Sequence, residues 1–417
     1  MKKIYLLIFI CFSFCSLAQE KLENKIFDPK IKTVLMYLEN DELSMPILEL
    51  GGSQYLTLGF DNFDLDIKDY YYTIKHCNSD WTLSDLDPSD YIDGYFEGQI
   101  SEYQSSFNTN VNYVHYKLKF PNEDMRPKVS GNYVIYVYED YDSKEAIFYK
   151  RFMVVENKSI IEAKVRNMNQ AALYSTDQQI EIEVNYPGSE FYDISQNLKV
   201  QILKNHNWVN YLELTRPDII RDNKFTYNDF SRIKFQGINE FHHFNTKNIH
   251  FYSENIVNIS FVDNMYHFQL SEDKIRTYDT YTYRHDINGH YKIDVTKGEF
   301  PETEADYVYV YFTLKMATPI KDDNELYVWG GLSNFEFTNH NKMRYNFEQK
   351  AYECRLFLKQ GYYDYQYVLS KEGKKDFAYI EGNHARTENT YTILSYYHDY
   401  SYGYDRLIGI KEISSKI

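Results

Sequence analysis

Titratable and metal-binding side chains that cluster are the first place to look for chemistry. The adjacent pair in Phe241-His242-His243-Phe244 invites a metal site. Neighbours on a strand point to opposite faces, so these two imidazoles cannot easily share one ion, and no Cys or carboxylate stands at ligand spacing beside them. The 61 Asp and Glu residues could supply the facing carboxylates of a glycosidase, yet no spacing singles out a pair. No Gly-x-Ser-x-Gly elbow, phosphate-binding loop or His-Glu-x-x-His helix occurs. Gly51-Gly52-Ser53 and Gly330-Gly331 read as turn glycines. Cys77 and Cys354 could form a disulfide in an oxidising compartment or serve as small buried hydrophobes, and the sequence leaves both open. The expectation is a protein that is not an enzyme, with no catalytic residue, cofactor, metal or small-molecule ligand.

The chain is 417 residues long with a formal charge of −16. That surface repels phosphate backbones and anionic membrane surfaces, so no nucleic-acid partner is expected. Tyrosine is in excess, 44 residues against 27 Phe and 3 Trp. It suits half-buried strand positions, with the ring packed and the hydroxyl wet. The chain begins Met1-Lys2-Lys3, runs apolar from Ile4 to Cys15, and continues Ser16-Leu17-Ala18. A charged start, a short apolar core and a small residue at a cleavage point predict a signal peptide over 1–18 and export. A lipid anchor at Cys15 is the alternative, with the bulky Phe14 standing against it. The apolar run is too short to span a bilayer, and no later segment predicts membrane insertion.

These side chains would be positioned by strands. Val114, Tyr116, Leu118 and Phe120 alternate with His115, Lys117 and Lys119, which predicts a half-buried strand. Tyr133 to Tyr138 is apolar or aromatic throughout, as for an inner strand. Similar runs recur about every ten residues, while helix signals are scarce; Ser84 to Ile92 has cap-like residues but is interrupted by Pro88. The prediction is an all-β chain of tandem immunoglobulin-like sandwiches with very little helix. The expected units are an N-terminal sandwich over 28–157, a middle β domain over 158–300 and a C-terminal sandwich over 301–417.

Several motifs, in order, resemble the plug protein family of the type IX secretion system of Gram-negative Bacteroidota. They are His76-Cys77-Asn78 with Trp81, Tyr91-Ile92-Asp93-Gly94, Ser105 to Thr109, Tyr113 to Tyr116, and Ser130 to Tyr133. Later come Leu358 to Tyr363, Glu381-Gly382-Asn383, Thr387-Glu388-Asn389, Tyr396-Tyr397 and Tyr404 to Gly409. The middle departs: the family usually has a second glycine and an arginine where Ile238 and His242 stand here. The third segment also resembles an immunoglobulin-like starch- and glycogen-binding module through Trp329 to Phe335, Met343 to Tyr345 and Gly361 to Tyr365. Phe335 falls where such modules commonly carry a sugar-stacking tryptophan, so the shared fold without the sugar site is expected. A carbohydrate-binding envelope protein using Trp329 and Phe335 is the alternative.

The plug resemblance implies a periplasmic protein, peripheral to the outer membrane, that seals the unused pore of a large translocon barrel by steric occlusion. Candidate partner contacts are Trp81 and Tyr91, in the loop from Asn78 to Gly98, and Tyr396, Tyr397, Tyr400, Tyr402 and Tyr404.

Overall fold

The computed structural model describes residues 20–416 except 65, 140, 143, 169, 188–190, 192 and 322. The expected signal peptide, 1–18, lies outside the described residues. The fold is all-β, in three two-layered sandwiches.

In the first sandwich, Gly131–Tyr138 lies between Tyr70–Cys77 and Ala146–Val155. Short strands Lys25–Ile26, Ile47–Glu49 and Gly98–Ile100 extend that sheet. A four-stranded sheet of Ile31–Leu38, Leu56–Asn62, Val114–Phe120 and Glu102–Ser105 faces it. The alternation in Val114–Phe120 is real: Val114, Tyr116, Leu118 and Phe120 are buried among Phe60, Tyr70, Tyr133 and Phe152. Pro88 opens a one-turn helix, Pro88–Tyr91, capped by Asp87. Proline suits a first helical position because its missing N–H would be unpaired there anyway.

The other two sandwiches do not divide at residue 300. The second pairs one sheet of Ile160–Asn167, Asp177–Asn185, Lys224–Tyr227, Ile219–Arg221 and Lys234–Gln236 with a sheet of Asn207–Leu214, Leu198–Lys204, Thr390–Asp399 and Tyr404–Ser414. Leu198 pairs with Tyr397 and Lys204 with Tyr391. The two C-terminal strands therefore complete the second core, where Tyr391, Ile393, Tyr397 and Ile408 meet Ile180, Val184 and Phe225. The third sandwich is inserted between Lys234–Gln236 and Thr390–Asp399. One layer is His242–Asn245, Tyr291–Ile293, Asn324–Trp329, Gly361–Lys371 and Lys374–Asp376. The other is Ile256–Val262, Met265–Leu270, Asp273–Lys274, Tyr307–Lys315, Ala351–Lys359 and Arg344–Asn346. The expected units 158–300 and 301–417 are corrected accordingly. Alternation identifies a strand but not the sheet it joins, because pairing is settled by partners far away in the chain.

Candidate functional site: the seams between the sandwiches

Most of the motif segments meet at the three seams between the sandwiches, whereas Tyr91 and Ile92 sit in the core of the first and Ile92–Gly94 pairs with Met125–Pro127. At the seam between the first and second, Ser79 in the loop after Tyr70–Cys77 donates through its backbone N–H (2.9 Å) and Oγ (2.6 Å) to Asp405 Oδ2. His398 Nδ1 lies 2.7 Å from the other Asp405 oxygen. Burial alone would push this carboxyl up, but the Lys199 charge and the hydrogen bonds from Ser79 and His398 hold it at about 2. Asn132 Nδ2 donates to Asn78 O (3.1 Å) and Asn132 Oδ1 accepts from Tyr396 OH (2.8 Å). Arg406 binds Glu156 through two nitrogens, at 2.8 and 2.6 Å. His76 Nε2 faces the Ser130 carbonyl at 3.2 Å, so that nitrogen carries the proton, and Nδ1 accepts from Ser84 Oγ at 2.9 Å. Burial pushes this imidazole down to about 4. Gly131, at φ +139°, leaves room for it; a Cβ there would stand 2.4 Å from His76 Nε2.

The seam between the first and third sandwiches is centred on Asp61, a fully buried carboxylate at the end of Leu56–Asn62. It receives Lys359 Nζ at 2.5 Å, Tyr307 OH at 2.6 Å and His115 Nδ1 at 2.7 Å. Burial would raise its pKa, but the Lys359 charge and the His115 hydrogen bond hold it below the usual carboxylate range. Asp306 clamps the motif loop beside it, accepting from Asn110 N–H and Val111 N–H, both at 3.0 Å. Tyr113 OH donates to Ala305 O at 2.7 Å.

At the seam between the second and third sandwiches the two connecting segments bind each other. His384 N–H donates to Ile238 O (2.8 Å), Ile238 N–H to Asn383 Oδ1 (2.9 Å) and Asn389 Nδ2 to Gly237 O (3.1 Å). Gly237 is required by this approach, because a Cβ would lie 1.9 Å from His384 O. Glu381, fully buried, accepts from Arg276 Nε (2.7 Å) and Tyr367 N–H (2.7 Å) and lies 3.2 Å from His242 Nε2. Burial would raise this carboxyl, but Arg276 and His242 bring it to about 2. His242 and His243 point apart: His242 lies between Asp273 and Glu381, and His243 faces Glu254. Among the described residues no group of three His, Cys, Asp or Glu side chains could hold a metal ion.

Most of the tyrosines named from sequence lie inside the molecule. Trp81, Tyr91, Tyr396, Tyr397 and Tyr404 are buried, which corrects their assignment as surface contacts. Trp81 and Tyr396 pack in the first–second seam with Met153, Leu203 and Leu407, and Arg151 lies over the Trp81 ring at 4.3 Å. Only Tyr400 and Tyr402 in that set are exposed, at 73% and 71%. Trp329 is 5% exposed, donates its indole N–H to Phe335 O at 3.0 Å, and packs edge-on against Phe335 and Phe377. The pair forms no open stacking platform, although both residues reach a cleft of about 350 Å³ between the second and third sandwiches. Cys77 and Cys354 are free, buried thiols, pushed up to about 12 by burial. Asp61 and Asp306 were not found from sequence; an acid closing the apolar run Leu56 to Phe60 was the available signal.

The family model described as "Type 9 secretion system plug protein 1st domain" matches residues 31–156, the first sandwich and its Asp61, His76 and Ser130 seam residues. The chain belongs to the type IX secretion system plug protein family. A crystal structure of a hypothetical protein from Parabacteroides merdae aligns with this family member at 32% identity and a TM-score of 0.90, covering 95% of this chain and 100% of that one. A biofilm-associated protein BSP domain aligns at 9% identity over 95% of this chain and 61% of that chain, with a TM-score of 0.17, and carries no structural argument. No curated protein matches the sequence.

Proposed function

We propose that this protein works without catalysis, as a periplasmic plug that binds and seals the outer-membrane translocon barrel of the type IX system. Family membership supports a role in that system. The observation that carries the finer claim is where the motif residues lie. Asn132, Lys359 and Asp405 are buried and spent on joining one sandwich to another, His76 packs against Tyr404 across the first seam, and Asn389 ties together the two segments that connect the second and third sandwiches. Buried polar networks with satisfied partners hold one arrangement, since breaking any member leaves a desolvated group unpaired. A body of fixed shape is what occlusion of a pore needs. The −16 formal charge fits a protein kept soluble next to an anionic membrane. Export by the N-terminal segment belongs to the same proposal.

Plug and cargo would bind different states of the barrel, so their occupancy must be antagonistic. The test is affinity purification of the tagged protein from native envelopes, with a permeability assay in a deletion strain. Co-purification of a large outer-membrane barrel and a leakier envelope without the protein are expected. A deletion strain as impermeable as its parent, with no barrel recovered in mild detergent, would overturn the proposal.

A further inference from the structure

An unpaired sheet edge offers a row of free N–H and C=O groups to any other chain, and natural proteins blunt such edges. Most edges here are short, charged or covered. Lys25–Ile26, Gly98–Ile100 and Ile219–Arg221 have two, three and three residues. The longer Ile160–Asn167 carries Glu162, Lys164 and Arg166, and Asn207–Leu214 carries Glu213. Ile31–Leu38 and Tyr404–Ser414 run along seams, through Thr33 to Tyr307 and through Leu407 and Ile408 to Glu156 and Lys158.

Ile256–Val262 differs. It is a seven-residue edge that, among the described residues, pairs only with Met265–Leu270. Its sequence, Ile-Val-Asn-Ile-Ser-Phe-Val, has no charge and no proline. Val257, Phe261 and Val262 are 55%, 51% and 50% exposed. Phe251 and Tyr252, just ahead of it, are also exposed. The hairpin closes through Asp263 and Asn264, both at positive φ (51° and 61°), as a tight two-residue turn requires. Beyond a bulge at Val257, the strand is held in register from Asn258 to Val262 as a preformed template.

We propose that this edge is a strand-addition site, where an extended, apolar-rich segment of the secretion-system partner adds one strand to the sheet. The proposal rests on the partner reading given above. The occupant follows from the groups on offer. Among protein segments, extended backbone matches the alternating free donors and acceptors in register, and the exposed Val257, Phe261 and Val262 select apolar side chains on the added strand. A second copy of this chain is the poorer occupant, because two bodies of formal charge −16 repel.

The test uses the full chain, the purified translocon barrel, and the double variant Val257→Lys/Val262→Lys. Both sites are exposed, so the fold should persist, and circular dichroism checks this. The variant is expected to bind at least tenfold more weakly, whereas Ile160→Lys, on the charged edge, changes affinity less than twofold. Backbone amides of 256–262 gain exchange protection in the wild-type complex. Equal binding by both edge variants without new protection at 256–262 overturns the edge assignment and leaves the partner reading standing. No binding by the wild-type chain overturns both. Concentration-dependent dimerisation in sedimentation that the lysine pair abolishes assigns the edge to a second copy instead, and also overturns the proposal.

Discussion

Replacing Lys359 by Met tests whether the buried seams hold the sandwiches together. Lys359 and Asp61 are 1% and 0% exposed, with Nζ 2.5 Å from the carboxylate. At an effective dielectric constant of about 20 such a pair attracts by roughly 4 kcal/mol or more, and desolvation of both ions offsets much of that. The pair is therefore worth little as a net gain but much as a vulnerability. Methionine keeps the length of the lysine stem and removes the ammonium, which also lies 4.2 Å from the Tyr113 ring centroid, so charge is the main variable. Asp61 is then left buried with His115 and Tyr307 alone, and the expected loss is about 3–5 kcal/mol. Urea unfolding at pH 7, followed by far-UV circular dichroism and aromatic fluorescence, measures it. Adding Asp61→Asn removes the stranded charge and should recover at least half of the loss, giving a coupling energy above about 1.5 kcal/mol in the cycle. A loss below about 1 kcal/mol, or a double variant no better than the sum of the singles, would refute the reasoning. The acid response carries the same sign. Asp61 has its folded pKa below the ordinary value of about 3.9, so its contribution is complete above that pH and is lost as pH falls through the folded value. Asp61→Asn should remove that component.

His76 predicts a second acid response, at higher pH. Its folded pKa of about 4 lies below the ordinary value of about 6.5, so stability is complete above 6.5 and falls by about 3 kcal/mol as pH drops towards 4. His76→Gln should flatten the curve measured between pH 4.5 and 7.5. Ile238 sits at φ +63°, a left-handed conformation that costs a β-branched residue, in the place where the family usually has glycine. Both Ile238→Ala and Ile238→Gly lose the buried side chain, but only glycine relieves the backbone, so Gly should be the more stable by about 1 kcal/mol in urea unfolding, reversing the usual order. Gly237→Ala forces a Cβ into the His384 carbonyl and should cost about 2–3 kcal/mol, read as a lower denaturation midpoint. Tyr400→Ala/Tyr402→Ala removes two exposed rings and should leave stability within about 0.5 kcal/mol per site, so any loss of barrel binding would report contact directly.

The strands were legible because alternation is a local signal: Val114 to Phe120 buries every second residue as its pattern required. The motif order was legible as a family resemblance. The role of those motifs was not. Trp81 and Tyr396 look like any aromatic ready for a partner until the second sandwich is packed over the first.

Residue order alone determined that this is an acidic, tyrosine-rich all-β chain with familiar motifs, since period, composition and short turns depend on neighbours in sequence. The tertiary structure decided that Thr390–Asp399 and Tyr404–Ser414 return to the second sandwich, that Asp61 meets Lys359, and that Ile256–Val262 is left with an open edge. Each of these depends on groups far apart in the chain, brought together only when apolar faces exclude water and ions such as Lys359 and Asp61 are buried as a pair.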